Sequence, residues 1–273
     1  FYRHRSSILR TAAKIPNRME RIAMQSKQKQ MLAVWGSPSS GKTVTALKIA
    51  AELAKGKKNV AVVFCDAVAP PLPTVIRTKK SADGSLGAAL SFSVISQEIA
   101  MKNLVASEQN PYVSFMGYAG ENAYTYAGYI KERAVDMLVL LRHIADHVIV
   151  DCSSVLNDNV LSTAALEVAD NVLRLCPCDL KGLSYYMSYL PLIGDRKFKT
   201  DKHIRVLTNP HPYQGGREYE NAYGGVSFCL PYLPSIEEQA ITQNLLAPLS
   251  GKEGKAYEGM ISAITREVFD SDQ

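Results

Sequence analysis

The chain has 273 residues, a net charge of +5 and 47% hydrophobic residues, which is enough to bury the core of one large α/β domain. No apolar stretch reaches the roughly 18 residues that a membrane span requires, so the composition excludes an integral membrane protein and predicts a soluble one. Five scattered cysteines, an odd number, exclude a disulfide framework and favour the reducing cytoplasm.

The positive charge is concentrated at the N-terminus, where residues 1–30 contain eight lysines and arginines against the single acid Glu20. We predict that residues 1–30 form a basic arm or linker and that residues 31–273 form the folded domain. The arm fits three interpretations: a solvated linker, a segment attracted to an anionic membrane surface, or a segment that contacts DNA. Because the sequence begins at Phe1 rather than Met, we expect it to be cut from a longer chain.

The first predicted strand leads directly into a phosphate-binding motif. Residues 31–35 are apolar, and residues 36–43 read GSPSSGKT, which fits the P-loop pattern G-x-x-x-x-G-K-[ST]. The first glycine is expected to allow unusual backbone angles at the strand end, and the second to let main-chain N–H groups wrap an anion. A predicted helix at 42–54 points its N-terminal dipole at the same anion. The candidate nucleotide-binding residues of this loop are Gly36, Ser37, Pro38, Ser39, Ser40, Gly41, Lys42 and Thr43.

Two later strands are predicted to end in aspartates. The apolar strand at 59–66 ends at Asp66, and the strand at 147–151 ends at Asp151. In open parallel sheets ligands bind beyond the carboxyl ends of the strands, which places both carboxylates on the same edge as Lys42. An apolar strand that ends in an aspartate downstream of a P-loop is the Walker B arrangement, in which the carboxylate holds Mg²⁺.

The remaining pattern alternates strands with helices, which predicts an α/β fold with a doubly wound, mostly parallel sheet. Between the two aspartates we predict partial helix at 86–106, a strand at 113–117, a tyrosine-rich loop at 119–129 and a helix at 129–145. After the second aspartate we predict helices at 159–168, 181–192, 235–246 and 254–269, and strands at 171–176, 204–208 and 226–230.

With these landmarks in place, residues 31–273 resemble the ParA/MinD family of P-loop ATPases, and most closely its pilus-assembly and secretion branch, the CpaE/TadZ type. The resemblance is carried by the P-loop and by several short runs. These runs are VVFCDA at 62–67, ADHVIVDCSS at 145–154, VADNVLRL at 168–175, TNP at 208–210 and LPYLPSIEEQA at 230–240.

The resemblance implies a role for each matching residue. Lys42 would bind phosphate and Asp66 would position the attacking water, so that Lys42, Asp66 and Asp151 are the candidate catalytic residues. Thr43, Asp66 and Asp151 are the candidate magnesium ligands. Asn209 would read adenine, and the turn at Pro231 would close over the base. The implied cofactors are ATP or ADP with Mg²⁺, and the implied ATP-bound state is a homodimer.

Three positions depart from the family pattern. Ser37 replaces a lysine that reaches the partner's nucleotide, Phe64 replaces the first aspartate of a D-x-D motif, and Val155 replaces a glycine that senses the γ-phosphate. Nucleotide binding needs only the loop and Lys42. Hydrolysis needs stabilisation of the charge that develops on the transferred phosphoryl group, so we expect at most weak ATPase activity.

The leading hypothesis is a cytoplasmic, membrane-associated ATP-binding protein that uses nucleotide-dependent dimerisation to position or regulate a pilus or secretion machine through protein partners. A non-catalytic nucleotide-binding scaffold is the first alternative, because of the three departures. A DNA-partitioning ATPase is the second, supported only by the basic arm. A metabolite kinase fits least, since no arginine-rich lid segment is evident in the sequence.

Overall fold

The computed structural model describes residues 30–75, 85–119, 125–211 and 215–269, and one sheet forms its centre. The strands of these residues are β1 Gln30–Gly36, β2 Val60–Phe64, β3 Val105–Ala106, β4 Val113–Met116, β5 His147–Asp151, β6 Asn171–Pro177, β7 Ile204–Thr208 and β8 Phe228–Leu230. They are ordered β3-β4-β2-β5-β1-β6-β7-β8, and every neighbouring pair is parallel except β3 with β4. The predicted doubly wound, mostly parallel sheet is confirmed.

Helices cover both faces of this sheet. They are α1 Lys42–Lys55, α2 Leu72–Val75, α3 Leu86–Ser91, α4 Gln97–Lys102, α5 Lys131–Ile144, α6 Val160–Val168, α7 Leu180–Ile193, α8 Gly216–Ala222, α9 Pro234–Ile241 and α10 Gly251–Phe269. The buried residues of α1 and α10 share one apolar cluster, and those of α5 and α6 share the other. Among the described residues, none of these helices is long and apolar enough to cross a lipid bilayer.

The central strand β1 shows why a buried parallel strand is apolar throughout. Met31, Ala33 and Trp35 pack into the cluster with α5 and α6, while Leu32 and Val34 pack into the cluster with α1 and α10. Successive side chains of a strand point to opposite faces, so a strand covered on both faces needs an apolar residue at every position. The strand therefore runs through the middle of the core and ends at the sheet edge, where the next loop begins.

Several predicted boundaries shift in the structure. The region 86–106 contains two short helices, each begun by a serine: the Ser85 hydroxyl accepts from the N–H of Ala88 at 3.1 Å, and the Ser96 hydroxyl from the N–H of Ile99 at 3.2 Å. The helix predicted at 235–246 ends at Ile241, because the backbone turns left-handed two residues later. Four elements are too short to show a clear hydrophobic period: the strands β3 and β8 and the helices α2 and α8. The sequence does not predict β3, α2 or α8, and it predicts that β8 begins two residues too early.

Two predicted segments lie wholly or partly outside the described residues. The basic arm is one, except that Gln30 already belongs to β1. The tyrosine-rich loop is the other, since residues 120–124 are outside the described part. Of the described tyrosines near it, Tyr118 is buried and its ring centre lies 6.5 Å from that of Tyr126. Both pack against the helices of one sheet face, as expected for side chains under a long loop.

Candidate functional site

The loop between β1 and α1 is a tight turn that only glycine permits at two positions. A Cβ on Gly36 would lie 2.6 Å from the hydroxyl oxygen of Ser40 and 2.9 Å from the carbonyl oxygen of Leu175, so this glycine is needed for space. Its φ is not positive, and the expected unusual backbone angles occur instead at Gly41, with φ +87°, and at Ser39, with φ +60°. The loop therefore has the closely wrapped backbone of an anion-binding turn.

The ammonium group of Lys42 is oriented by two acceptors. Its Nζ donates to the carbonyl oxygen of Ser37 at 2.8 Å and to the hydroxyl of Ser154 at 2.6 Å. Burial lowers the pKa of Lys42, and the nearby carboxylate of Asp151 opposes this effect. An ammonium group has three protons, so one N–H remains for an anionic ligand.

Asp151 and Thr43 meet at the end of β5. The Thr43 hydroxyl donates to Oδ2 of Asp151 at 2.6 Å, while Oδ1 is buried and has no hydrogen-bond partner among the described residues. Burial raises the pKa of Asp151 to about 6, and the hydrogen bond from Thr43 and the charge of Lys42 partly oppose this shift. An unpartnered buried carboxylate oxygen is costly. Beside a hydroxyl, it fits the oxygen ligands that Mg²⁺ prefers.

Asp66 lies at the same sheet edge but in different surroundings. Its Oδ1 accepts hydrogen bonds from the N–H groups of Val68 and Ala69, both at 2.9 Å, and so stabilises the turn after β2. It is near enough to Asp151 for its charge to contribute to the raised pKa of that group. The predicted roles of Asp66 in water positioning and metal binding stay predictions.

A cavity of about 350 Å³ opens beside the loop. It extends from the loop and the start of α1 to the ends of β7 and β8 and to α9. Of the predicted site residues it is lined by Ser39, Ser40, Gly41, Lys42, Thr43, Asn209 and Pro231, whereas Gly36, Ser37, Pro38, Asp66 and Asp151 do not line it. The fold thus brings two predicted groups of residues, far apart in sequence, to opposite ends of one cavity.

The end of the cavity away from the loop has a polar side chain and an apolar wall. Asn209 follows β7 with φ +54°, and its backbone N–H donates to the carbonyl oxygen of Leu230 at 2.9 Å. Tyr232 lines the wall, and its hydroxyl donates to the Glu237 carboxylate at 2.6 Å. Sequence reasoning missed Tyr232, although an aromatic residue directly after Pro231 was an available signal.

Two of the positions that depart from the family pattern have clear surroundings. Phe64 is fully buried, and its ring centre lies 6.0 Å from that of Phe115 in a stacked pair, so it is part of the core. Val155 is 46% exposed, and its backbone N–H donates to the hydroxyl of Ser153 at 3.2 Å. The amide that the family pattern assigns to phosphate sensing therefore has an acceptor within the protein.

The third departure and one missed residue lie beneath the loop. Ser37 is buried, with its hydroxyl oxygen lacking a hydrogen-bond partner among the described residues, while its carbonyl accepts from Lys42. Ser154, which sequence reasoning missed, also accepts from Lys42 and donates to the carbonyl oxygen of Gly36 at 3.0 Å. No motif spacing indicated this contact, because it joins residues 112 positions apart.

Solved structures with the same architecture include ATPases and an ATP-analog-bound synthase. A ParA family ATPase from Chlorobium tepidum superposes with a TM-score of 0.69 at 15% identity, covering 88% of this chain and 98% of that chain. A chain of the MinC:MinD cell division protein complex from Aquifex aeolicus gives 0.68 at 12% identity, covering 88% and 96%. Cobyrinic acid a,c-diamide synthase from Mycobacterium smegmatis, with a bound ATP analog and magnesium, gives 0.62 at 19% identity, covering 87% and 94%.

No protein-family model and no curated protein matches the chain. At identities of 12% to 19%, the similarity to solved structures concerns the fold. The chain therefore has the fold of the MinD and ParA ATPases, as the resemblance to that family predicted.

Proposed function

We propose that this protein binds ATP or ADP together with Mg²⁺ in the cavity beside the P-loop and acts as a ParA/MinD-like nucleotide-dependent protein. The observation that carries the proposal is that a single cavity joins the phosphate-binding loop at one end to Asn209 and Pro231 at the other. Its volume suits a small ligand. The magnesium-bound synthase with its ATP analog supports the same ligand class for this fold.

Each end of the cavity has the chemistry for one part of a nucleotide. The main-chain N–H groups of the loop and the free N–H of Lys42 would hold the phosphates. Thr43 and Asp151 would hold Mg²⁺, whose charge neutralises the phosphates when it is bound. The side-chain amide of Asn209 would hydrogen-bond the base, and the ring of Tyr232 would lie along it.

Hydrolysis is proposed to be weak. Ser37 supplies no cation, and the N–H of Val155 is already donated to Ser153. Asp66 would orient water if turnover occurs, but one of its oxygens is held by its own turn. These two engaged groups favour the alternative function, a scaffold that binds nucleotide without turning it over. Phosphate release that is equal in wild type and Asp66→Ala, with ATP bound in both, would support the scaffold.

We further propose that ATP favours a homodimer and that the dimer positions or regulates a pilus or secretion machine of the CpaE/TadZ type. The protein would work in the cytoplasm and associate with a membrane through protein partners or through the basic residues 1–30. The MinC:MinD complex is a precedent for partner binding by this fold. Binding of DNA by the same arm remains the alternative, and its affinity would have to fall steeply with salt.

Titration calorimetry with ATP and Mg²⁺ tests the nucleotide site directly. Lys42→Ala removes the only side-chain cation that the loop directs at the phosphates, so we expect ATP affinity to fall roughly 10-fold to 100-fold. The matched control is Lys55→Ala on the same helix, because that side chain is exposed and pairs with Glu52. Wild-type binding no tighter than that of Lys42→Ala would contradict the proposal.

A further inference from the structure

A partly buried hydrogen-bond chain connects α7 to the P-loop lysine. Ser154 is its central residue: its hydroxyl accepts from Lys42 Nζ at 2.6 Å and donates to the carbonyl oxygen of Gly36 at 3.0 Å. The backbone carbonyl of the same residue accepts from the hydroxyl of Tyr185, on α7, at 2.7 Å. Tyr185 thus holds the backbone of the residue whose side chain orients Lys42.

The chain also returns to the start of the loop. The indole N–H of Trp35 donates to the hydroxyl oxygen of Tyr185 at 3.0 Å. Trp35 is 1% exposed, lies directly before Gly36 and is the single tryptophan of the protein. The Tyr185 hydroxyl therefore acts both as a hydrogen-bond donor and as an acceptor. Its two partners, Trp35 and Ser154, precede and follow Lys42 in the sequence.

The geometry points to Tyr185 as a positioning residue for Lys42, an inference that rests on the proposed nucleotide binding. Two of the three ammonium protons are directed at Ser37 and Ser154, so the direction of the third depends on where Ser154 is held. Without the Tyr185 hydroxyl, the carbonyl of Ser154 loses its donor inside the core and its segment is free to shift. The ammonium group would then meet the phosphates in a less favourable orientation.

Tyr189 provides a control that distinguishes this role from simple aromatic packing. Tyr189 lies one turn further along α7, with its ring centre 6.3 Å from Trp35 and 4.6 Å from Tyr185. Its hydroxyl has no hydrogen-bond partner among the described residues, so Tyr189→Phe removes a hydroxyl from the same aromatic group without breaking the chain. Tyr185→Phe removes a hydroxyl that carries two hydrogen bonds.

A double-mutant cycle on ATP affinity tests the inference. Calorimetric titration of ATP with Mg²⁺ should show binding about tenfold weaker in Ser154→Ala and about threefold to tenfold weaker in Tyr185→Phe. Because Tyr185 acts through Ser154, the double variant should bind no more weakly than Ser154→Ala alone. Tyr189→Phe should bind as wild type does.

Several results would overturn the inference, and they differ from failure of the proposed function. If wild type does not bind ATP, nucleotide binding itself is wrong. If wild type binds but Tyr185→Phe binds equally well, or the losses in the double variant multiply, Tyr185 does not position Lys42. A loss in Tyr189→Phe as large as that in Tyr185→Phe would attribute the effect to aromatic packing.

The fluorescence of Trp35 gives a second readout that does not depend on the fold of Tyr185→Phe. Because the indole N–H is hydrogen-bonded to Tyr185, engagement of Lys42 by ATP should change the Trp35 emission in wild type. In Ser154→Ala, at ATP concentrations that calorimetry shows to be saturating, the change should be smaller. An undiminished change in Ser154→Ala, or none in ATP-bound wild type, would overturn the inference.

Discussion

Two neighbouring parallel strands, β2 and β5, lead to an aspartate at the same edge of the sheet, and the two side chains have opposite surroundings. Asp151 is 3% exposed, accepts from Thr43 with one oxygen and has no partner for the other among the described residues. Asp66 is less buried, and its Oδ1 accepts from the N–H groups of Val68 and Ala69.

This contrast identifies the part of the site that is ready for a ligand. The carboxylate of Asp151 has a cost in the free protein that a cation would remove, so this end is arranged for metal binding. Oδ1 of Asp66 already accepts two backbone hydrogen bonds and the side chain is less buried, so this carboxylate has no such cost. Binding of nucleotide and Mg²⁺ should therefore depend strongly on Asp151 and weakly on Asp66.

Asp151→Asn should strongly weaken magnesium-dependent ATP binding. Asparagine keeps an acceptor for Thr43 but lacks the charge that would hold Mg²⁺, so ATP affinity in the presence of Mg²⁺ should fall by at least about 30-fold. ATP affinity measured in EDTA should be nearly the same in both proteins. An equal loss with and without Mg²⁺ would show that the substitution damaged the loop rather than the metal site.

Asp151→Asn should lower ATP affinity but raise the folding stability of the metal-free protein. Burial raises the pKa of Asp151 from 3.8 to about 6, so between these values the folded state keeps a proton that the unfolded state has released. The contribution of Asp151 to the stability of wild type therefore falls as pH rises from about 4 to about 6, by about 3 kcal/mol in total. Asp151→Asn lacks this loss, and in EDTA it should be more stable than wild type above pH 6.

The free energy of unfolding in urea, measured for both proteins at pH 4, 5, 6 and 7, checks this prediction. Burial lowers the pKa of His203 to about 4, so this group makes stability rise with pH over the range in which Asp151 makes it fall. His203 is present in both proteins, and its contribution cancels in the difference between the two curves. A difference that does not grow with pH would show that Asp151 is not held with a raised pKa.

The contrast between the aspartates also shows how far sequence reasoning reached. The loop and its lysine were predictable because eight contiguous residues carry the whole motif, and the strands because an apolar run was visible before each aspartate. That Asp66 would cap its own turn was readable from the residues that follow it, but its position at a strand end and the resemblance to the ParA/MinD family directed the prediction toward catalysis.

The rest of the site depends on contacts between distant segments. The hydrogen bond from Trp35 to Tyr185 joins residues 150 positions apart, and that from Lys42 to Ser154 joins residues 112 positions apart. Neither hydrogen bond could be predicted from a hydrophobic period or a motif spacing, because each is created by the order in which the strands pack. Tyr232 differs from these contacts, because its position directly after Pro231 was a local signal, although only the fold shows that it lines the same cavity as the loop.

The smallest expected effect on binding is that of Asp66→Ala. The substitution removes the acceptor for two backbone N–H groups that water can reach, so it should cost about 1 kcal/mol of folding stability, as loss of a capping side chain does. It removes no group that contacts the loop or Thr43, so ATP affinity with Mg²⁺ should stay within about twofold of wild type. Urea unfolding and calorimetry on the same preparation measure both quantities. A fall in ATP affinity as large as that of Asp151→Asn would mean that Asp66 leaves its turn to join the metal site, and the two strand ends would then be equivalent in the bound state.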